Sequence, residues 1–310
     1  MTIGQADDGG RSAATPFDPF AGRTEPEHGR VVETARVPLW CHDDGGEGEP
    51  LVLLGGFTAG HFGFDFVRPL LGGRRLITWE PRGLGRSAHP DPVATPYSVP
   101  VWADDLAALL DALGLARVQL WAMGFGSYIA HRFASVHRER VGALVTYTDV
   151  WAGDPLKAYP QIWEVYGAIA RNFGTTGFGA RVLANVFDVS DVPWFGAWEA
   201  RNIEQVLHPE TVEATVGHCL LHADVREDLA GIAAPTLVVQ GARTWDGRDV
   251  DAAADPSLAL MRERIPQLEL ASIPDAHPAY VFVQEPVRVA AAATAFLDAH
   301  PLGLPPEGAP

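Results

Sequence analysis

The segment Ala122-Met123-Gly124-Phe125-Gly126 has the small-residue spacing of a G-x-S-x-G nucleophile elbow, but its central residue is a glycine. In such an elbow a strained strand-to-helix turn lifts a reactive side chain above a sheet, next to backbone amides that hold an oxyanion. Gly124 has no side chain to lift, so acyl transfer through this position is excluded. The nearest hydroxyl, Ser127, lies one helical turn further on and is expected to face the packing of the helix. His218 and His222 are spaced i, i+4 with Asp224 nearby, a pattern that can bind metal on one helix face. The Glu of H-E-x-x-H is missing and no third ligand declares itself, so no metal is expected. Arg82-Gly83 and its neighbours lack the G-x-G-x-x-G context, and no nucleotide or other cofactor is expected.

The elements that would position the elbow follow from the hydrophobic pattern. Val118 to Met123 is an apolar strand and Gly126 to about His137 an amphipathic helix. Leu51-Val52-Leu53-Leu54, ending in Gly55-Gly56, reads as a buried strand, and Arg75 to Trp79 and Gly142 to Val150 as others. Val31 to Pro38 reads as an edge strand with Leu39 to His42 as its hairpin partner. Phe64 to Leu71 suits a helix, and Val101 to Leu113 carries Trp102, Leu106, Leu109 and Leu110 on one helical face. This alternation implies a mostly parallel sheet covered by helices. It stops at Trp151. From there to Glu227 the pattern is helical, with breaks at Gly174 to Gly179 and Asp188 to Pro193. Strands return at Thr236 to Gly241 and Leu268 to Ile273, and a closing helix spans Pro286 to His300. A helical insertion of this kind is expected to cap the strands' carboxyl ends, where open α/β sheets bind ligands. Residues 1–30 read as a flexible segment and 301–310 as a polar tail.

Composition limits the partners. The 310 residues carry a formal charge of −16, with Lys157 the one lysine, which argues against nucleic acid. Two cysteines, Cys41 and Cys219, fit a reducing cytoplasm rather than a disulfide framework. The N-terminal stretch is polar and acidic, unlike a signal peptide, and no apolar run approaches the roughly 20 residues of a membrane helix. The expected partner is a small-molecule substrate in the cytoplasm, with a homodimer left open.

Several local patterns carry a resemblance, in order along the chain. Leu53-Leu54-Gly55-Gly56-Phe57 resembles a His-Gly loop after a third strand, with Gly55 in place of the histidine. Glu80-Pro81-Arg82-Gly83-Leu84-Gly85-Arg86-Ser87 resembles a D-x-R-G-x-G-x-S turn, with Glu80 for aspartate. Ala234-Pro235-Thr236-Leu237-Val238-Val239-Gln240-Gly241 is similar to the strand before an acid loop, and Ile273-Pro274-Asp275-Ala276-His277 to a loop holding a catalytic histidine. Together they resemble the α/β-hydrolase superfamily with an inserted cap: residues 31–150 and 228–300 as core, 151–227 as cap. The resemblance implies a nucleophile at 124, an acid soon after Gly241 and a histidine at 277. Gly124 and Thr244 replace the first two, and His277 matches. Asp246 and Asp249 are alternative acids in the same loop, but Asp149, at the end of the strand after the elbow, is the preferred partner.

The amide machinery survives on paper. The N–H of Phe125 opens a helix and that of Phe57 follows the glycine pair, so both can hold a negative oxygen over Gly124. The expected pocket comprises Gly56, His61, Trp151, Trp163, Tyr166, Trp194, Trp198, Thr244 and Asp246, an aromatic lining suited to a flat or polycyclic ligand. The preferred function is a cofactor-independent enzyme in which His277 does acid–base chemistry on a small aromatic or polyketide-like carbonyl compound, of lyase, decarboxylase, dehydratase or cyclase type, in secondary metabolism. The plant methylketone synthase type, an α/β-hydrolase scaffold that lost its nucleophile and kept its histidine, is similar in kind. Two alternatives stand beside it: a hydrolase that activates water directly, and a ligand-binding protein without catalysis. The elbow resembles that of the N-myc downstream-regulated family, whose members keep the fold without the triad; His277 favours an enzyme.

Overall fold

The structure, a computed structural model, describes residues 29–151, 159–186, 194–217, 219–242, 255–274, 276 and 281–303. Eight strands form one sheet: β1 (Gly29–Val32), β2 (Leu39–Asp43), β3 (Pro50–Leu54), β4 (Arg75–Trp79), β5 (Val118–Ala122), β6 (Val141–Thr146), β7 (Thr236–Gly241) and β8 (Leu268–Ile273). Their order is β1-β2-β4-β3-β5-β6-β7-β8. β1, β2 and β4 pair antiparallel, and all pairs from β4 to β8 are parallel.

Every residue of β3, β5, β6 and β7 is buried, whereas the edge strands β1 and β8 each carry two exposed residues. Continuous apolar runs are what a parallel sheet covered on both faces requires. The period of two divides each run between the faces: Val52 and Leu54 join one core cluster, Leu51 and Leu53 the other. The helices between strands are α1 (Val99–Ala112) and α2 (Phe125–Val136), and α9 (Pro286–Ala299) closes the chain. Ser98 starts α1 by accepting from the Val101 amide at 3.3 Å.

Between β6 and β7 the described chain holds α3 (Tyr159–Phe173), α4 (Phe178–Val186), α5 (Phe195–Val206) and the four-residue α6 (Pro209–Val212). α7 (Pro256–Arg264) precedes β8, and α8 (Val281–Gln284) precedes α9. No helix among the described residues is long and apolar enough to cross a membrane.

Three local expectations change. The edge strand expected from Val31 to Pro38 is β1 at Gly29–Val32, whose pairing with β2 ends at Val32 opposite Leu39. Phe64 to Leu71 does not form one helix: 3-10 turns cover His61–Phe64 and Arg68–Leu70 instead. Pro69 has no N–H to continue a ladder, and it sits at the start of the second turn. β6 ends at Thr146, four residues before Val150, because pairing with β7 stops at Thr146 opposite Val238.

Candidate active site

The strand order reverses between β3 and β5: β4 lies beyond β3 on one side, and the chain then crosses back to β5 on the other. Open α/β sheets bind ligands at the carboxyl ends of the strands at such a switch point. Two turns meet there. Met123 N donates to Leu54 O at 2.9 Å, tying the end of β5 to the end of β3. Gly60 N closes the turn after β3 onto Gly56 O at 3.0 Å.

Glycines set both turns. A Cβ at Gly55 would lie 1.7 Å from Gly60 O, and one at Gly126 would lie 2.2 Å from Leu54 O. Gly124 differs. Its φ of 49° and ψ of −123° are a left-handed conformation that side chains resist, yet a Cβ there would meet nothing nearer than Gly56 Cα at 3.7 Å. The elbow keeps the strained turn of a nucleophile position and leaves the space above it open.

That space is a cavity of about 140 Å³. Gly56, Phe57, Gly124 and Phe125 line it from the core, with Asp149 beyond β6 at 8 % exposure. Phe125 is the first residue of α2, so its N–H is one of the helix's orphan donors and sits at the positive end of the dipole. Among the described residues neither the Phe57 nor the Phe125 amide donates to a backbone carbonyl. Both residues line the cavity next to Gly124.

The opposite wall comes from α3 and α5: Trp163, Phe195, Trp198 and Glu199. Aromatic edges lock it to the core. Phe57 meets Phe125, Trp163 and Tyr166 edge-on at 6.2, 5.8 and 6.2 Å, and Phe66 packs against Trp194 at 5.4 Å and Trp198 at 5.0 Å. Glu199 is buried at 4 % exposure and accepts a hydrogen bond from the Thr58 hydroxyl of the turn after β3. Burial first and the Glu199 charge second push the Tyr166 phenol well above its ordinary range. The Tyr147 phenol is raised likewise, by burial and then by Asp149.

Sequence reasoning missed Thr58 and Glu199. Glu199 lies on a helix between Trp198 and Ala200, where it reads as a solvated charge. Its one signal was its place beside an aromatic expected in the pocket.

Several expected pocket residues lie elsewhere. His61 does not line the cavity: its buried ring places Nδ1 2.9 Å from Glu80 Oε1, and Glu80 also accepts from Arg86 N at 2.6 Å. Glu80, at the position of the turn's aspartate, ties that ring to its own loop, and a Cβ at Gly85 would strike its carboxylate. Trp151 is also outside the cavity; it bridges to Asp224, and the Arg226 guanidinium covers its ring at 4.2 Å. Arg226 in turn holds Asp224 by two bonds of 2.9 and 2.5 Å. Tyr166 and Trp194 stand behind the lining rather than in it. Ser127 is fully buried in α2 and away from the cavity. His277, Thr244, Asp246, Asp249 and His218 lie outside the described residues; Ala276, just before the histidine, is fully buried. Cys41 and Cys219 are buried free thiols, and burial pushes Cys41 up to about 11.

The volume revises the expected ligand. A cavity of roughly 150 Å³ in a protein core accommodates benzene, so a space of about 140 Å³ suits one ring rather than a polycycle.

Comparison with known proteins agrees with this architecture. The family described as alpha/beta hydrolase fold matches residues 49–174, which include both turns. A 2-hydroxymuconate semialdehyde hydrolase from Pseudomonas sp. strain CF600 is 34% identical over 148 residues, covering 46% of this chain and 51% of that protein. The chain thus aligns with about half the length of that relative. Among solved structures, a thermophilic esterase from Thermogutta terrifontis superposes with a TM-score of 0.68 at 26% identity, covering 88% of this chain and 99% of that one. The enol-lactonase from Burkholderia xenovorans LB400 gives 0.69 at 19% identity, over 87% and 100%, a likeness of fold alone. The chain has the α/β-hydrolase fold, and its family match and structural neighbours support a place in the α/β-hydrolase superfamily.

Proposed function

We propose that the protein is a cofactor-independent enzyme that works without a serine nucleophile on a small carbonyl compound of about one ring. The observation that carries the reading is Gly124: a strained, side-chain-free elbow under an open cavity, with the Phe57 and Phe125 amides beside it. Amides aimed at developing negative charge stabilise an enolate or a carboxylate as readily as a tetrahedral intermediate. In this reading His277 moves the proton, with Asp149 as its partner, and the amides hold the oxygen. Decarboxylation, dehydration, cyclisation and retro-aldol cleavage all need these two actions and no covalent acyl-enzyme.

Direct hydrolysis is the second reading. Asp149 and Glu199 place two carboxylates on the cavity wall, where one could help His277 activate water. The hydrolase name of the Pseudomonas relative supports it. Turnover of small cyclic carbonyl compounds in ¹⁸O-labelled water separates the two, since only hydrolysis must place the label in product. His277→Ala is expected to lower kcat by about a hundredfold or more, the range of general acid–base contributions, with ligand affinity unchanged. Full activity in that variant would remove both readings.

A further inference from the structure

Away from the cavity, the loop after β4 meets the junction of α5 and α6. His89 belongs to the loop, His208 caps α6 and Glu210 lies in its first turn. One nitrogen of each ring and one Glu210 carboxylate oxygen all lie within 4.8 Å of one another. The two rings are 3.9 Å apart and inclined at 54°, so they are not stacked face to face and each presents its own edge.

A single carbonyl orients both. Gly85 O lies 3.0 Å from His89 Nε2 and 2.8 Å from His208 Nε2. A carbonyl only accepts, so each Nε2 is assigned the hydrogen and each Nδ1 the lone pair. Metal-binding imidazoles are commonly held this way, with the second ring N–H on a backbone carbonyl. His89 Nδ1 stands 3.9 Å from Glu210 Oε1. The Glu210 side chain is 64% exposed, so an ion can arrive from solvent and the carboxylate can swing onto it.

We propose that His89, His208 and Glu210 form a divalent transition-metal site, zinc first, that clips the helical segment to the core. Two imidazoles and a carboxylate with water as the fourth ligand suit zinc; ligand bonds of about 2.0–2.2 Å put tetrahedral donors roughly 3.3 Å apart, so the donors, now within 4.8 Å of one another, close onto the ion as the exposed Glu210 moves. The clip falls where the two parts are already joined. Gly85 N donates to Val206 O at 2.8 Å and the Thr211 hydroxyl to Gly83 O at 2.7 Å. Val206 ends the helix that carries Trp198 and Glu199, so a bound ion would steady one wall of the cavity from behind. The site is independent of the chemistry assigned to His277.

The test uses the full chain without an affinity tag, stripped by chelator and titrated with zinc chloride by calorimetry and elemental analysis. The expected result is one zinc per chain, bound at least tenfold more weakly by His89→Ala and by His208→Ala, and a zinc-dependent rise in Tm lost in both. Cobalt(II) added to the unmutated protein should give a visible spectrum of tetrahedral nitrogen–oxygen ligation, a readout that needs no variant to fold. Absence of zinc binding, binding unchanged in the variants, or an octahedral cobalt spectrum would each overturn the site.

Discussion

The two walls of the cavity are built by different means. The core wall is backbone: the turns after β3 and β5, held by Met123 N on Leu54 O and by Gly55 and Gly126, where a Cβ would collide with backbone. The facing wall is side chains: Trp163, Trp198 and Glu199 of α3 and α5, fixed by aromatic packing against Phe57 and Phe66. In the proposed reading the first wall needs no side chain at Gly124, because amide donors do not depend on which residue bears them. The second decides which molecule reaches those donors. In the proposed reading, a glycine at position 124 changes the reaction on offer while the wall that would hold the oxygen stays in place.

Breaking the core wall should cost most. Gly126→Ala sets a methyl 2.2 Å from Leu54 O, with backbone on both sides and no flexible side chain to yield. The expected loss exceeds about 3 kcal/mol and is global, read as a lower denaturation midpoint with slowed-exchange protection lost across β3 and β5 alike. Breaking the facing wall should cost about 3 kcal/mol, the low end for a fully buried Trp→Ala, but locally. Trp198→Ala is expected to raise amide exchange in α5 while β5 stays protected; equal loss in both would make the two walls one cooperative unit.

A smaller effect tests the elbow itself. Gly124→Ala meets nothing nearer than Gly56 Cα at 3.7 Å, so its cost should be the left-handed backbone alone, about 1–3 kcal/mol, measured by urea denaturation. A larger penalty would mean that the space above Gly124 is not open. The smallest effect on stability belongs to Glu199→Gln, which keeps the shape and an acceptor for Thr58; it should shift stability by less than about 1 kcal/mol. Removing that charge from the cavity should tighten a carboxylate ligand such as benzoate about tenfold relative to benzamide. An unchanged ratio would show that Glu199 does not face the ligand.

The core wall was the legible one. The apolar runs expected at Leu51 to Leu54 and Val118 to Met123 lie within a residue of β3 and β5, and Gly55 and Gly126 mark the places where the backbone comes too close for a Cβ. Local rules write these features: period, strand length and turn chemistry. The facing wall obeys no such rule. Trp151, Trp163, Tyr166, Trp194 and Trp198 look alike as residues, and only packing puts Trp163 and Trp198 on the cavity while Arg226 covers Trp151. His61 followed the glycine loop closely enough to promise a pocket, but Glu80 from a different strand end holds its ring away. The pair weighed for metal from its spacing, His218 and His222, has its companion Asp224 committed to Arg226. The histidines that do converge, His89 and His208, are brought together by tertiary contact, which spacing cannot reveal.

The central claim is chemistry without a covalent nucleophile at the elbow, and its most direct measurement is intact mass spectrometry after exposure to a fluorophosphonate probe. The account expects the protein with Gly124 to remain unlabelled while it turns over its substrate. Stoichiometric labelling of that protein at a residue lining the cavity would contradict it.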